Sequence, residues 1–162
     1  MSKNFSLING EFKETISVYD RGLAYGDGFF ETMLWDSFKD KNRIIVGVEF
    51  WLRHLKRIKD GCKLMQINFP PYNEIMRQRD LILKASLKEK KSGLLKMIVT
   101  RGVGGRGYKF ERNMLPTIIF LSLSKPKVEK QFFESGVLVK ICKTQLSQNI
   151  NLFGFKHLNR LD

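Results

Sequence analysis

The sequence predicts a fold that combines β-strands with two α-helices. Asn9-Gly10, between two extended segments, is a strong signal for a two-residue hairpin turn. Residues 50–65 carry the regular apolar stripe of an amphipathic helix, and residues 93–101 and 116–124 are extended and apolar. A hydrophobic content of 43% is ordinary for a globular chain and excludes wholesale disorder.

The first fifty residues predict strands joined by turns. Residues 5–8 and 11–13 flank the hairpin turn, and residues 29–36 and 43–48 form two further predicted strands. Glycines 22, 26 and 28 lie close together in the stretch Tyr19–Thr32, which reads YDRGLAYGDGFFET. This density of glycine predicts an ordered loop with tight turns, and not a helix, leading into the strand.

Two helices are predicted next. In the first, apolar residues recur at steps of four and three and form one stripe: Trp51, Leu55, Ile58, Cys62 and Met65. The second helix is predicted from about residue 72 to residue 88, after Pro70-Pro71. Arg57 lies at the edge of the first stripe, where surface solvation is the default and a long side chain can also reach inward.

The loop between the last two strands reads RGVGGRGY over residues 101–108. It satisfies the spelling of a dinucleotide-binding motif, but no helix follows it, so that interpretation fails. We predict a β-loop-β connection in which glycine amides and an arginine can hold an anion. A flexible turn with exposed charge is the alternative.

After these strands, residues 125–136 have the mixed charge of a linker, and Val137, Val139 and Ile141 mark a new strand. The predicted organisation is therefore an N-terminal domain over residues 1–124, a linker over 125–136, and the incomplete start of a second domain over 137–162.

The net charge of +13 comes from scattered residues. No nucleic-acid recognition motif accompanies it, so a solvated basic surface is the better interpretation, and we expect no nucleic-acid partner. The cysteines and histidines lack metal-ligand spacing, so we expect no metal. The longest apolar run is too short to span a membrane, and the start lacks the apolar core of a secretory signal. With only two cysteines, we expect a reducing cytoplasm.

Four motifs in order resemble those of the class IV pyridoxal phosphate (PLP) enzymes. Gly154–Leu161, GFKHLNRL, resembles their lysine segment, and within the family it looks most like the aminodeoxychorismate lyases. The glycine-rich stretch Tyr19–Thr32 resembles the family's N-terminal motif, and His54–Arg57 resembles its His-x-x-Arg. The loop RGVGGRGY closely resembles the lyase loop.

The resemblance implies the fold class and the cofactor. It implies an α+β N-terminal domain, with an antiparallel-rich sheet and two helices, and the opening strand of a second β-rich domain. PLP is expected between the two domains. Lys156 stands at the position of the Schiff-base lysine, where an amine condenses with the cofactor aldehyde and later moves the substrate proton. Arg57 matches the arginine that binds the 5′-phosphate, a role that suits the guanidinium fork.

The resemblance also implies a substrate and a reaction. Arg106 and Tyr108 are expected to meet the substrate carboxylate and ring, and the loop and strand carrying Tyr25 and Phe30 are expected to line the pocket. The implied reaction converts 4-amino-4-deoxychorismate, an anionic amino acid-like molecule, to 4-aminobenzoate and pyruvate in folate biosynthesis. A class IV aminotransferase acting on D- or branched-chain amino acids is the alternative enzyme, and a non-catalytic basic fragment is the alternative without chemistry.

The position of Lys156 near the end of the sequence adds further expectations. In the family, the acid that contacts the cofactor ring nitrogen comes from sequence after this lysine. The family is also homodimeric. We therefore expect a truncated chain that turns over no substrate alone, and that aggregates or needs a second half to cover its apolar faces.

Overall fold

The computed structural model describes residues 3–41, 43–145 and 149–160. In these parts of the chain, five strands form one sheet: β1 (Phe5–Ile8), β2 (Gly28–Asp40), β3 (Arg43–Val48), β4 (Ser92–Thr100) and β5 (Thr117–Leu123). Their order across the sheet is β1-β5-β4-β2-β3, and every neighbouring pair is antiparallel. The antiparallel-rich α+β fold predicted for the N-terminal domain is confirmed.

Two long helices cover one face of this sheet. The helices of the described chain are α1 (Arg21–Tyr25), α2 (Trp51–Leu64), α3 (Tyr72–Ser86) and α4 (Gln131–Glu134), with a short 3-10 helix at Ile150–Leu152. Helix α2 packs against β2, and α3 packs against β1 and β5. None of these helices is long and apolar enough to cross a bilayer.

The pleat of β2 sends alternate side chains to opposite faces of the sheet. Phe29, Glu31, Met33 and Trp35 are buried, and contacts with α2 place Phe29 and Glu31 on the helix side. The same core contains Cys62 of α2, whose burial raises its pKa to about 12. Cys62 is therefore a thiol at neutral pH and packs as a small apolar residue.

The hairpin turn forms as predicted, although its second arm is short. Asn9 and Gly10 have φ values of 51° and 85°, and a type I′ turn requires positive φ at both positions. After the turn, the pairing is a single bridge between Ile8 and Glu11. Instead, β1 obtains its ladder from β5.

The prediction that the glycine-rich stretch contains no helix is wrong, because α1 lies inside it. Asp20 caps this helix by accepting a hydrogen bond from the Gly22 amide at 2.8 Å. Gly26 ends it in the left-handed region, with a φ of 64°. An N-cap aspartate and a C-terminal glycine are enough to bound one helical turn.

The opening strand predicted from Val137, Val139 and Ile141 does not form in the structure. Residues 137–141 have no strand assignment, and the Ile141 side chain is 98% exposed. An extended segment needs a neighbouring strand to satisfy its backbone groups, and no strand in the described parts of the chain pairs with residues 137–141. The boundaries at residues 124 and 136 stay predictions, and α4 lies between them.

A buried carboxylate joins the elements around the start of β2. The Asp27 side chain accepts hydrogen bonds from Arg21 Nε at 2.9 Å, from Arg101 Nε at 2.7 Å and from Arg101 Nη2 at 3.0 Å. All three side chains are at most 7% exposed. One negative charge therefore serves two buried guanidinium groups.

The two arginines extend this cluster to other elements. Arg101 donates to the carbonyl oxygens of Met65 and Gln66 at the end of α2, at 2.7 and 2.8 Å. Arg21 donates to the carbonyls of Gly107 and Tyr108, at 2.9 and 3.2 Å. The Asp27 cluster thus holds α1, α2 and the 101–108 loop around one point.

We expect Asp27→Asn to destabilise the fold strongly, because it leaves two buried guanidinium groups without a countercharge. The expected loss in the free energy of unfolding is about 3–5 kcal/mol. Urea denaturation followed by circular dichroism measures it. Asp60→Asn is the control, since Asp60 pairs with Lys56 on the surface and such pairs contribute about 0–1 kcal/mol. Equal losses of unfolding free energy in both variants would show that the Asp27 cluster contributes no more to stability than a surface ion pair.

Candidate active site

The backbone of Lys156 is fixed to the edge of β2. β3 pairs with β2 only over Trp35–Asp40, so the beginning of that edge accepts another segment. The Phe30 amide donates to the Lys156 carbonyl at 2.8 Å, and the Leu158 amide donates to the Gly28 carbonyl at 3.0 Å. The lysine segment therefore continues the sheet where β3 ends.

The Lys156 side chain is exposed and lies near the ring of Phe30. Its Nζ is 5.8 Å from the ring centroid, and the Nζ of Lys96 on β4 is 4.9 Å from the same centroid. An aromatic face attracts ammonium groups, so the ring gathers two positive charges on the face opposite α2. This surface suits an anionic ligand that also has a flat ring.

Residues on both sides of Lys156 anchor its segment. The Phe155 ring contacts the Phe29 ring edge-on, at a centroid distance of 5.9 Å. Asn159 donates to the Tyr25 carbonyl at 3.5 Å. Gly26 has a φ of 64°, and a Cβ there would lie 2.2 Å from Asn159 Oδ1, so glycine suits this close approach. The glycine-rich motif and the lysine motif therefore meet in space.

Arg57 is bound to a buried carboxylate. Its Nε and Nη2 donate to the two oxygens of Glu31, and His54 Nδ1 lies 2.6 Å from Glu31 Oε2. The Glu31 side chain is 1% exposed, whereas the Arg57 side chain is 41% exposed. One end of the ion pair is thus inside the protein and the other reaches solvent.

The charges of this pair reinforce each other. Burial alone would raise the pKa of Glu31, but hydrogen bonds and positive charge from Arg57 and His54 together lower it below its ordinary value. The hydrogen bond to Glu31 raises the pKa of Arg57, against the smaller effect of burial. Glu31 and Arg57 are therefore both ionised at neutral pH.

Tyr25 and Tyr108 come together beside α1. Their ring centroids are 5.7 Å apart, and the Tyr25 hydroxyl oxygen accepts from the Gly107 amide at 3.0 Å. Tyr108 is 86% exposed. Tyr25 therefore holds the 101–108 loop, while Tyr108 keeps most of its ring accessible.

Arg106 lines a cleft of about 620 Å³ beside the same loop. Lys109, Phe110 and the backbone of Gly104 and Gly105 also line it. The lining thus offers an anion an arginine, a lysine and glycine-rich backbone, together with one opposing carboxylate, that of Glu111.

The sequence-predicted site residues thus fall into separate groups. Lys156 contacts Phe30, Tyr25 contacts Tyr108, Arg106 lines the cleft, and Arg57 lies on the helix side of β2. Phe30 and Glu31 are consecutive, so β2 connects Lys156 and Arg57 from opposite faces. Their roles in binding stay predictions.

Sequence reasoning missed Glu31, Lys96 and Asn159. Glu31 occupies an inward position of a strand whose other inward residues are apolar, and a carboxylate there requires partners. Lys96 interrupts the apolar run LLKMIV. These two signals were present in the sequence, whereas the contact of Asn159 with Tyr25 depends on long-range folding.

The donor groups fit PLP in kind. Lys156 offers an exposed primary amine for the aldehyde, Phe30 offers a flat ring, and Arg57 offers a guanidinium for the phosphate. Among the described residues, no group of three histidine, cysteine, aspartate or glutamate side chains is placed to hold a metal ion.

Comparison with known proteins gives several matches. The family model described as amino-transferase class IV matches residues 28–162. An aminodeoxychorismate lyase of Vibrio harveyi is 31% identical over 155 residues, which are 96% of this chain and 53% of the relative. An aminodeoxychorismate lyase of Bacillus subtilis is 26% identical over 95% of this chain and 52% of the relative. The chain spans about half the length of these curated relatives.

Solved structures show the same relationship. A 4-amino-4-deoxychorismate lyase from Pseudomonas aeruginosa superposes with a TM-score of 0.77 at 35% identity, over 96% of this chain and 53% of that one. A branched-chain amino acid aminotransferase from Escherichia coli shares the fold, with a TM-score of 0.59 and 22% sequence identity. The match covers 75% of this chain and 41% of that one. The family model covers most of the sequence, and the chain therefore belongs to the class IV aminotransferases, a family of PLP-dependent enzymes.

Proposed function

We propose that this chain supplies the reactive lysine and one wall of the active site of a PLP-dependent aminodeoxychorismate lyase. The observation that carries the proposal is the pairing of the Lys156 segment with β2, which holds an exposed amine over the Phe30 ring. The similarity to two named lyases at 31% and 35% identity supports the choice of reaction.

In this proposal Lys156 Nζ has two tasks. Its amine would hold PLP, and as a base it would take the proton from the amine-bearing carbon of the substrate. When bound, PLP draws electron density from that carbon, so that pyruvate can leave and the substrate ring can become aromatic as 4-aminobenzoate. The backbone hydrogen bonds to β2 restrict where the base can reach, which is what proton transfer requires.

The other residues bind and orient. Arg57 takes the cofactor phosphate, for which the exposed part of its side chain is available. Arg106 and Tyr108 receive the substrate carboxylate and ring from the side of the loop, and Tyr25 and Phe30 form the wall. The Asp27 cluster holds that loop in place.

A homodimer in a reducing compartment completes the proposal. In the described parts of residues 137–160, four large apolar side chains are more than 80% exposed and support a covering partner: Leu138, Val139, Ile141 and Phe153. Two free cysteines support a reducing compartment. Sedimentation of the purified chain decides the oligomeric state.

We expect Lys156 to be the main site of covalent PLP attachment. After incubation with PLP and reduction with borohydride, peptide mapping should find the phosphopyridoxyl label on Lys156 more than elsewhere. Lys156→Ala should remove this label, and Lys140→Ala, an exposed lysine of 137–141, should retain it. Label spread evenly over the lysines would reject Lys156.

Assays for 4-aminobenzoate and for transamination, run side by side, then decide the reaction. Formation of 4-aminobenzoate supports the lyase, and amino transfer without it supports the class IV aminotransferase. Labelling with neither product, even after addition of the second half of a related lyase, would identify a PLP-binding chain without catalysis.

Arg57→Ala should weaken PLP binding because it removes a charged hydrogen-bond donor to the phosphate. The expected loss is about 1.5–3 kcal/mol. Lys59→Ala is the matched control, since Lys59 is exposed on the same helix and loses the same charge. Titration of PLP into the three proteins measures the affinities. If both variants bind as the unchanged chain does, Arg57 belongs to the solvated surface.

Arg106→Ala should act on substrate and leave the PLP affinity unchanged. In a preparation that forms 4-aminobenzoate, alone or combined with the second half of a related lyase, kcat/KM should fall about tenfold to a hundredfold. Arg112→Ala, an exposed arginine of the same connection, is the control. Unchanged kinetics for Arg106→Ala would remove Arg106 from the substrate site.

A further inference from the structure

We propose that Glu31 is a positioning residue for the cofactor phosphate. Its buried carboxylate orients the Arg57 guanidinium, so that the Nη1 edge is presented to the phosphate of PLP. This inference rests on the proposed function, because it names the residue that prepares the phosphate site of the same cofactor.

The first observation is the geometry of the ion pair. Both oxygens of Glu31 are engaged by the Nε and Nη2 atoms of Arg57. A guanidinium carries five N–H donors in a rigid plane, and this pair does not use the two on Nη1. Once Glu31 binds one edge of that plane, the direction of the remaining edge is fixed.

The second observation is the contrast in exposure. Glu31 is 1% exposed and Arg57 is 41% exposed, so the carboxylate is a fixed point and the guanidinium extends from it toward solvent. An arginine on the surface samples many rotamers and loses that freedom when it binds an anion. An arginine held by a buried carboxylate has already lost this rotamer freedom, so binding an anion costs it less conformational entropy.

The third observation is that His54 holds the carboxylate itself. His54 lies one helical turn before Arg57 on α2, and its Nδ1 is 2.6 Å from Glu31 Oε2. Two residues of α2, His54 and Arg57, thus hold the Glu31 side chain. The contact with His54 keeps the carboxylate in place when Arg57 binds another anion.

The fourth observation is where the pair is attached. Glu31 follows Phe30, whose amide binds the Lys156 carbonyl and whose ring lies near the Lys156 amine. A cofactor held by its aldehyde at one end and its phosphate at the other needs both contacts at a fixed separation. Consecutive residues of β2 fix the backbone positions from which these two contacts extend, one from each face of the strand.

The carboxylate also has an opposing effect, because its negative charge repels a phosphate. The two effects predict opposite results when Glu31 is changed. If the repulsion dominates, loss of the Glu31 charge strengthens PLP binding. If the orientation of Arg57 dominates, loss of the Glu31 charge weakens PLP binding. The proposal requires the second result.

The experiment compares PLP with pyridoxal, which lacks the phosphate, as ligands of the whole chain. Glu31→Gln should weaken PLP binding about tenfold to a hundredfold, the size expected for a charged hydrogen bond, and leave pyridoxal binding unchanged. In an Arg57→Ala background, Glu31→Gln should have no further effect on PLP. Glu74→Gln is the control, because Glu74 binds Arg77 in an exposed pair on α3.

Other results overturn the inference. Unchanged or tighter PLP binding by Glu31→Gln contradicts it, and so does an equal loss for PLP and pyridoxal, which indicates a merely structural role. If Arg57→Ala weakens PLP binding and Glu31→Gln does not, this inference fails while the proposed function stands. If the unchanged chain binds neither ligand at Lys156, both fail.

A measurement on the unchanged chain covers the case in which Glu31→Gln does not fold. The Nε–H proton of Arg57 should give a slowly exchanging NMR signal that persists when PLP is added, while the Nη1 signals shift. If PLP instead makes the Nε–H signal exchange as rapidly as that of a free arginine, Arg57 leaves Glu31 to bind phosphate, and the proposal is wrong.

Discussion

The arrangement of the site depends on the neutralisation of two buried guanidinium groups by the Asp27 carboxylate. Neither arginine is tolerable at 4% exposure without it, since an unpaired buried charge costs several kcal/mol, on the order of 3–5. In return, the remaining N–H groups bind carbonyls at the end of α2 and in the 101–108 loop. Hydrogen bonds and ion pairs of the Asp27 cluster thus position α1 and the 101–108 loop, whereas apolar packing positions the helices on the sheet.

Strand β2 distributes the site between two environments. Its pleat turns Phe30 toward the open face, where two lysines gather, and Glu31 toward the helices, where Arg57 and His54 meet. A reactive amine needs access to ligands, whereas a charge that orients another side chain needs shelter from water. Because Phe30 and Glu31 are consecutive residues of β2, the exposed site and the sheltered ion pair lie on opposite faces of the same strand.

The elements with a strong periodic signal were predictable from the sequence. The apolar stripe of α2 and the apolar run of β5 lie within one or two residues of their observed positions. Helix α1 was missed because its signal is only a cap at each end, and glycine-rich sequence usually indicates a loop. The segment around Val137 has the alternation of a strand, but alternation does not supply a partner.

Motif resemblance pointed to Lys156 and Arg57, and their roles stay predictions. It gave no indication that Glu31 binds the arginine. That contact joins a strand to a helix more than twenty residues later. The packing of Asn159 against Gly26 spans most of the chain in the same way. Such contacts join residues that are distant in the sequence, so they depend on the assembled fold and cannot be predicted from local sequence patterns.

The attachment of the lysine segment has a consequence for the order in which the molecule forms and opens. Its two backbone hydrogen bonds to β2 close a loop of more than one hundred residues, whereas β2, β3 and β4 pair with near neighbours or across a helical hairpin. Long loops close at a greater entropic cost, and units with few bonds open below the free energy of global unfolding. The amides of Phe30 and Leu158 therefore exchange with solvent while the central sheet stays intact. The Lys156 segment therefore joins the completed sheet last and leaves it first.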